Sequence, residues 1–187
     1  MKYLYPNLPN WLDPESARGF DKKTDWIAER KKNGWRCLAI RTETGLELWT
    51  RRHTIIHDPL PMTRSALGEL PPLTVIDGEL IDKRSKDIKD HYYAFDILFA
   101  AGKQLTGMSW TLRRKILEEV MKYIPVEISE PIIPGKYLLY ETAIADGDEG
   151  IVMKCINSKY LVDYGSCPKN PYWMKCKKAE DSFGGSK

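Results

Sequence analysis

The residues with the most chemical reach lie in short charged stretches. Arg30, Lys31 and Lys32 stand directly before Asn33-Gly34, with Glu29 ahead of them and Arg36 just after. A lysine can act as a nucleophile, but with a reference pKa near 10.4 only about one in a few thousand is neutral at pH 7. Desolvation or nearby cations must lower that value before the amine attacks. The chain supplies candidate cations in Arg36, Arg51, Lys154, Lys175 and Lys177. In D-G-E-L, Asp77 and Glu79 sit two apart, so on a strand they share a face. Two carboxylates facing one way repel unless they hold a cation, an amine or a sugar hydroxyl. Phe95, in Y-A-F-D-I-L-F, could stack on a base. D-G-D-E-G-I-V-M-K packs Asp146, Asp148 and Glu149 ahead of a strand that ends in Lys154, an arrangement that could hold a metal ion at one end and a phosphate at the other. W-M-K-C-K-K places Lys175 and Lys177 on one face of a late strand.

Each stretch also has a plainer reading. The cations can be a solvated run, the carboxylates the wet face of an edge strand, Phe95 core, and the lysine pair an ordinary edge. What decides is where the elements place them. The first 24 residues, rich in Pro, Asn and Asp, read as loop with one short helix. D-W-I-A-E-R-K reads as a strand entering the Asn33-Gly34 turn, with Glu29 and Lys31 on one face and Arg30 and Lys32 pointing elsewhere. W-R-C-L-A-I-R-T and L-E-L-W-T-R-R alternate and are joined by T-E-T-G as a hairpin. T-R-S-A-L-G-E-L predicts a helix stopped by Pro71-Pro72. L-T-V-I-D-G-E-L-I-D and H-Y-Y-A-F-D-I-L-F-A predict strands. T-L-R-R-K-I-L-E-E-V-M-K-Y-I predicts a helix whose apolar face is Leu112, Ile116, Val120 and Ile124. Y-L-L-Y-E-T-A-I-A-D-G-D-E-G is mixed, and two strands follow at G-I-V-M-K-C-I and Y-W-M-K-C-K-K. Hairpins early and late with a helix between them imply an α+β fold with antiparallel sheets.

The 187 residues suffice for one domain or two small ones, and the composition, 42% hydrophobic and 29% charged, is that of a soluble globular protein. The net charge is +3. Residues 169–187 alone hold Lys169, Lys175, Lys177, Lys178 and Lys187 against Glu180 and Asp181, an excess equal to that of the whole chain. Such a basic end suits a polyanion, or is a solvated tail. No apolar run approaches the roughly 20 residues that span a bilayer, and the N-terminus lacks a signal-peptide apolar region. A cytoplasmic protein with no membrane partner is expected. Cys37, Cys155, Cys167 and Cys176 form no C-x-x-C pair and only three histidines accompany them, so free thiols are expected rather than structural zinc.

Taken together and in this order, the stretches resemble the motifs of the adenylation (nucleotidyltransferase) domain of ATP-dependent DNA ligases. K-K-N-G-W-R (31–36) is similar to the nucleophile motif K-x-D-G-x-R, and T-R-R (50–52) to the next short motif. D-G-E-L (77–80), Y-A-F-D-I-L (93–98), E-G-I-V-M-K (149–154) and W-M-K-C-K (173–177) follow in family order, with N-S-K-Y resembling a Ser-x-Tyr after the fourth. The resemblance spans about residues 25 to 178. It implies an ATP-grasp-like α+β nucleotidyltransferase domain, here a single domain over 1–187, in which Lys31 attacks the α-phosphate of ATP and forms lysyl-AMP. Glu29 and Arg30 would join the nucleotide-binding set. Arg36 and Arg51 would bind ribose or phosphate, Glu79 a ribose hydroxyl or metal water, and Phe95 would stack on adenine. Glu149, with Glu79, would help place Mg²⁺ (or Mn²⁺), and Lys154, Lys175 and Lys177 would hold phosphate oxygens. Nicked double-stranded DNA is the implied partner, and a monomer, in a bacterium or for a virus in its host cell, is the expected form.

Two departures stand out. Asn33 occupies a position where the family usually has Asp, which keeps hydrogen bonding and loses a charge. Ten residues follow Lys177, too few for the OB-fold domain with which family members usually continue, so the chain reads as a fragment or as a single-domain ligase. An RNA ligase of the same superfamily shares the lysine chemistry and is the nearest alternative. A capping-type guanylyltransferase fits less well, because its fourth motif usually lacks a lysine at the position of Lys154. A non-catalytic nucleic-acid-binding remnant is a third reading, opposed by the presence of every motif lysine.

Overall fold

The computed structural model describes residues 3–82 and 89–178, so Glu180, Asp181 and Lys187 of the basic end lie outside the described residues. In chain order the elements are β1 (Leu8–Trp11), α1 (Pro14–Arg18), a 3-10 turn (Gly19–Lys22), β2 (Trp26–Lys31), β3 (Trp35–Arg41), β4 (Leu46–Thr50) and α2 (Pro61–Gly68). They continue with β5 (Thr74–Ile81), β6 (His91–Ala100), β7 (Lys103–Gln104), α3 (Trp110–Met121), β8 (Glu127–Ile128), α4 (Lys136–Ala145), β9 (Gly150–Cys155) and β10 (Lys169–Lys177). Local chemistry sets several boundaries. Asp13 caps α1 by accepting from the Ser16 N–H at 2.8 Å, with Pro14 in the first turn. In the T-E-T-G turn the Thr42 Oγ1 accepts from the Gly45 N–H at 3.0 Å, and Arg41 then pairs with Leu46.

The chain divides into two compact units, each drawn from three stretches. One comprises the residues up to Asn7, Asn33–Ser129 and Lys159–Pro168; the other comprises Leu8–Lys32, Glu130–Ser158 and the stretch from Lys169. The first unit holds a six-stranded sheet in the order β4-β3-β5-β6-β7, with β8 paired to β6. Its core gathers Cys37, Ala39, Leu48, Leu67, Ile76, Leu80, Ile97, Leu117 and Met121 under α2 and α3. The second holds a four-stranded sheet in the order β1-β10-β9-β2, with α4 packed on β2 and β9. Its smaller core includes Ala28, Tyr140, Ala143, Ile151, Met153 and Cys176.

The α+β architecture expected from the sequence is present. The sheets are mixed rather than wholly antiparallel: β1 runs parallel to β10, and β8 parallel to β6. β1 lay hidden in the Pro- and Asn-rich start because it is a short edge strand, half-exposed along its length, with no alternation to read. The mixed stretch before Glu149 is α4. It is entered through a left-handed Gly135 (φ 76°), and Asp21 Oδ1 accepts from the Tyr137 N–H of its first turn at 3.0 Å. The face expected for α3 is a correction. Leu112 is half exposed, and the buried stripe is Trp110, Arg113, Leu117 and Met121. A charged residue on the true stripe, Arg113, is neutralised by Asp96 of β6, with Nε–Oδ1 at 2.8 Å and Nη2–Oδ2 at 2.9 Å. Ile116 and Val120 pack at the margin of that core.

Candidate active site

Strand register in the second unit places most of the singled-out charges on one sheet face. β2 pairs antiparallel with β9 and β9 with β10, so three rows cross the sheet. Lys31, Gly150 and Lys177 form the first; Glu29, Val152 and Lys175 the second; Ile27, Lys154 and Trp173 the third. Alternation sends the intervening Ala28, Ile151, Met153 and Cys176 to the opposite, core-forming face. Lys31 Nζ lies 2.7 Å from Glu149 Oε2, and the Lys177 ammonium contacts the same oxygen. Burial alone would raise the Glu149 carboxyl, but the two ammoniums outweigh it and hold the carboxyl below the usual carboxylate range. Further in, Lys154 Nζ of the third row bonds Glu29 Oε2 of the second at 2.6 Å, with both side chains almost fully buried. The Lys154 ammonium also lies 4.7 Å from the centre of the Trp173 ring. Lys175 is half-buried on the same face.

Gly150 makes this geometry possible. Its φ is 138°, and a Cβ there would come within 2.1 Å of the Cys176 carbonyl oxygen. The first row therefore has no side chain at its centre, and Glu149, one residue before, reaches the lysines on either side.

Arg30 departs from its expected place among the nucleotide-binding residues. It alternates to the opposite face from Lys31, where its Nη2 bonds Asp146 Oδ2 at 2.7 Å and its Nη1 bonds Asp148 Oδ2 at 3.1 Å. Asp146 and Asp148, read from the sequence alongside Glu149 as an acidic end for a metal, thus serve cations of the chain itself.

In the first unit, Arg36, Asp77 and Glu79 share the face turned away from Cys37, Ala39, Ile76 and Leu80. β5 is an inner strand and Asp77 is fully buried, so the wet-edge reading of D-G-E-L does not hold. Arg36 lies opposite Glu79 in register but grips Asp77 with a fork, Nε–Oδ1 and Nη2–Oδ2 both 2.6 Å. Burial works against the Arg36 charge; the Asp77 carboxylate outweighs it and raises the guanidinium above its ordinary value. The Tyr160 hydroxyl donates to Asp77 Oδ2 at 2.6 Å, which completes that carboxylate's partners. The sequence assigned no role to Asp77 or Tyr160 in this network, because 83 residues separate them.

Phe95 is not core. Register passes from Asp77–Asp96 to Gly78–Ala94, which leaves Phe95 as the extra residue of a β-bulge. Bulges re-aim side chains. This one leaves Phe95 half-exposed with the Arg36 guanidinium 4.5 Å from its ring centre. Arg51 stands exposed in the turn after β4. At Gly34 the backbone is closely approached by β5. A Cβ at position 34 would meet the Leu80 carbonyl oxygen at 2.6 Å and Glu79 Cγ at 2.8 Å.

No group of three or more His, Cys, Asp or Glu side chains that could cage a metal occurs among the described residues. Mg²⁺ ordinarily uses one or two carboxylates together with substrate phosphates. A single half-buried carboxylate such as Glu149 fits that mode. The four cysteines are unbridged, and no helix among the described residues is long and apolar enough to cross a membrane.

A lysine, flanking lysines and a carboxylate on one antiparallel sheet face make a nucleotidyltransferase-type arrangement. The sequence model of the family described as "ATP dependent DNA ligase domain" matches residues 14–177, and the chain belongs to that family. The multifunctional non-homologous end joining DNA repair protein LigD of Mycobacterium tuberculosis is 25% identical over 173 residues, covering 84% of this chain and 23% of that protein. A DNA ligase of Methanocorpusculum labreanum is 32% identical over 181 residues, covering 83% of this chain and 32% of that one. The chain therefore spans about a quarter to a third of the length of these relatives. Among solved structures, mycobacterial DNA ligase D complexed with ATP and MES superposes with a TM-score of 0.74 at 24% identity, over 93% of this chain and 60% of that one. The Chlorella virus DNA ligase-adenylate superposes with a TM-score of 0.64 at 18% identity, over 92% and 66%. These two likenesses establish the fold.

Proposed function

We propose that this chain carries out the adenylation chemistry of an ATP-dependent DNA ligase, with Lys31 as the nucleophile. The observation that carries the reading is the first row of the sheet, where Lys31 and Lys177 flank a side-chain-free Gly150 and share the Glu149 carboxylate. Lys31 Nζ would bond to the α-phosphorus of ATP as the bond to pyrophosphate breaks. Glu149, 2.7 Å away, is within reach of the proton that the nitrogen sheds. Lys177 and Lys175 would hold phosphate oxygens and offset the charge that develops as pyrophosphate leaves. Lys154, in the buried third row and paired with Glu29 of the second, would act from further away, fixing Glu29 toward the nucleotide. Arg36 and Arg51 would bind ribose or phosphate, Glu79 a ribose hydroxyl, and Phe95, turned out by its bulge, would stack on adenine. Mg²⁺ or Mn²⁺, placed by Glu149 and Glu79, would neutralise phosphate charge when bound. The AMP would then pass to the 5′-phosphate of a nick in double-stranded DNA, and the 3′-hydroxyl would displace it to seal the strand. A monomer working in the cytoplasm belongs to the same reading.

Incubation with α-labelled ATP and Mg²⁺ is expected to leave an acid-labile label on the protein, absent from Lys31→Ala. No label on the unaltered chain, or equal label on Lys31→Ala, would sink the proposal. Nicked DNA and nicked RNA duplexes offered to the labelled protein separate a DNA ligase from an RNA ligase.

A further inference from the structure

The three cations before Asn33 meet three acids from one turn. Arg30 bonds Asp146 and Asp148; Lys31 bonds Glu149; Lys32 Nζ lies 3.2 Å from Asp148 Oδ1. Asp148 therefore holds the residues on both sides of Lys31. The turn is itself tethered to α4. The N–H groups of Asp146, Gly147 and Asp148 bond the carbonyls of Thr142, Ile144 and Ala143 at 2.9, 3.2 and 2.9 Å. From there the Glu149 N–H donates to the Lys31 carbonyl at 2.9 Å.

We infer that Asp148 is a positioning residue for the Lys31 nucleophile. Lys31 is the last residue of β2, where the ladder ends and a strand is free to fray. Its direction depends on the pleat at that position, because the side chains of residues 30 and 32 leave the backbone opposite to that of 31. A single carboxylate that pins both neighbours to a turn anchored on α4 sets that pleat. Asp148 is mostly buried, with 13% of its side chain exposed, so its ion pairs are better sheltered from screening than surface ones. The pairing alternates as the pleat requires: Asp148 takes residues 30 and 32, and Glu149, the next residue, takes Lys31.

The inference rests on Lys31 being the site of adenylation, and the test separates the two. Lysyl-AMP formation is followed in single turnover for the full chain and for Asp148→Ala, Asp148→Asn and Asp148→Glu, with the thermal midpoint of each. A nucleophile displaced by about 1 Å can lose on the order of a hundredfold in rate. Asp148→Ala is therefore expected to fall ~10- to 100-fold at saturating ATP, with KM for ATP within about twofold, the signature of lost orientation rather than lost binding. Asp148→Glu is expected to recover most of the rate and Asp148→Asn part of it. Should Asp148→Ala fail to fold, the Asn and Glu variants carry the comparison. Unchanged rates in the folded variants, or a rise in KM with the rate unaltered, would overturn the inference while leaving Lys31 labelled. An unaltered chain that takes no label removes the adenylation reading and this inference together.

Discussion

Tyr160 shows how much a single hydroxyl can carry. It donates to Asp77 Oδ2 at 2.6 Å and accepts from the Asn7 N–H at 3.0 Å, both fully buried groups. Asn7 in turn brackets Leu161, its Oδ1 accepting from the Leu161 N–H and its Nδ2 donating to the Leu161 carbonyl. The Tyr160 phenol is raised well above its ordinary value, by burial first and by the Asp77 charge next, which keeps it a donor. Tyr160→Phe removes one partner from Asp77 and one from Asn7 while leaving the ring's volume. An orphaned buried polar group costs about 1–3 kcal/mol, so urea denaturation is expected to show a loss of that order. A change under about 0.5 kcal/mol would mean that the network relaxes around the gap. At this scale the sequence was readable where chemistry is local: Lys31 and Glu29 do share a face, and Arg30 and Lys32 do face away. It was unreadable where the partner is distant, as with Asp77 and Tyr160, and where backbone irregularity overrides alternation, as at Phe95.

Elements were largely legible from apolar period and turn chemistry, and α3 shows the limit of that method. Four apolar residues at i, i+4 spacing drew a stripe through Leu112, yet the helix is rotated so that Arg113 faces the core and Leu112 faces out. Periodicity treats every arginine as exposed; it has no means of knowing that Asp96 waits on β6. The rotation makes a paired prediction. Leu112→Glu should change stability by less than about 0.5 kcal/mol, as exposed substitutions usually do. Arg113→Ala leaves the Asp96 carboxylate buried without its fork and should cost about 3–5 kcal/mol. For a chain of this size each 1 kcal/mol moves the melting midpoint by roughly 2–4 °C. Thermal melts of the two single variants, run side by side, decide between the faces. Comparable losses would mean that the stripe through Leu112 is the buried one after all.

The organisation of the whole chain was the least legible feature, because neither unit is a continuous stretch of sequence. The boundary at Lys32/Asn33 falls inside K-K-N-G-W-R, a motif that reads as one piece. The two units differ in how their cores are assembled, and this has a testable consequence. All strands of the six-stranded sheet, β3 to β8, lie between Trp35 and Ile128, and its core runs from Cys37 to Ile124. The other core draws on Ala17 to Ala28, Tyr140 to Cys155 and Cys176, so no short contiguous piece contains it. A fragment of residues 33–129 is therefore expected to fold, since a compact segment with its own core can stand alone. It lacks Asn7 and Tyr160, so Asp77 keeps the Arg36 fork but loses the phenol, and stability should be lower by about 1–3 kcal/mol for that reason. It also lacks Lys31 and should take no label from ATP. A fragment of residues 130–178 retains α4, β9 and β10 but not β2, and a two-stranded ribbon of this kind is marginal in water. Far-UV circular dichroism melts and amide exchange are expected to show a cooperative, protected fold for 33–129 and neither property for 130–178. Were 33–129 unfolded, its sheet would owe its stability to the flanking stretches rather than to the core between Cys37 and Ile124.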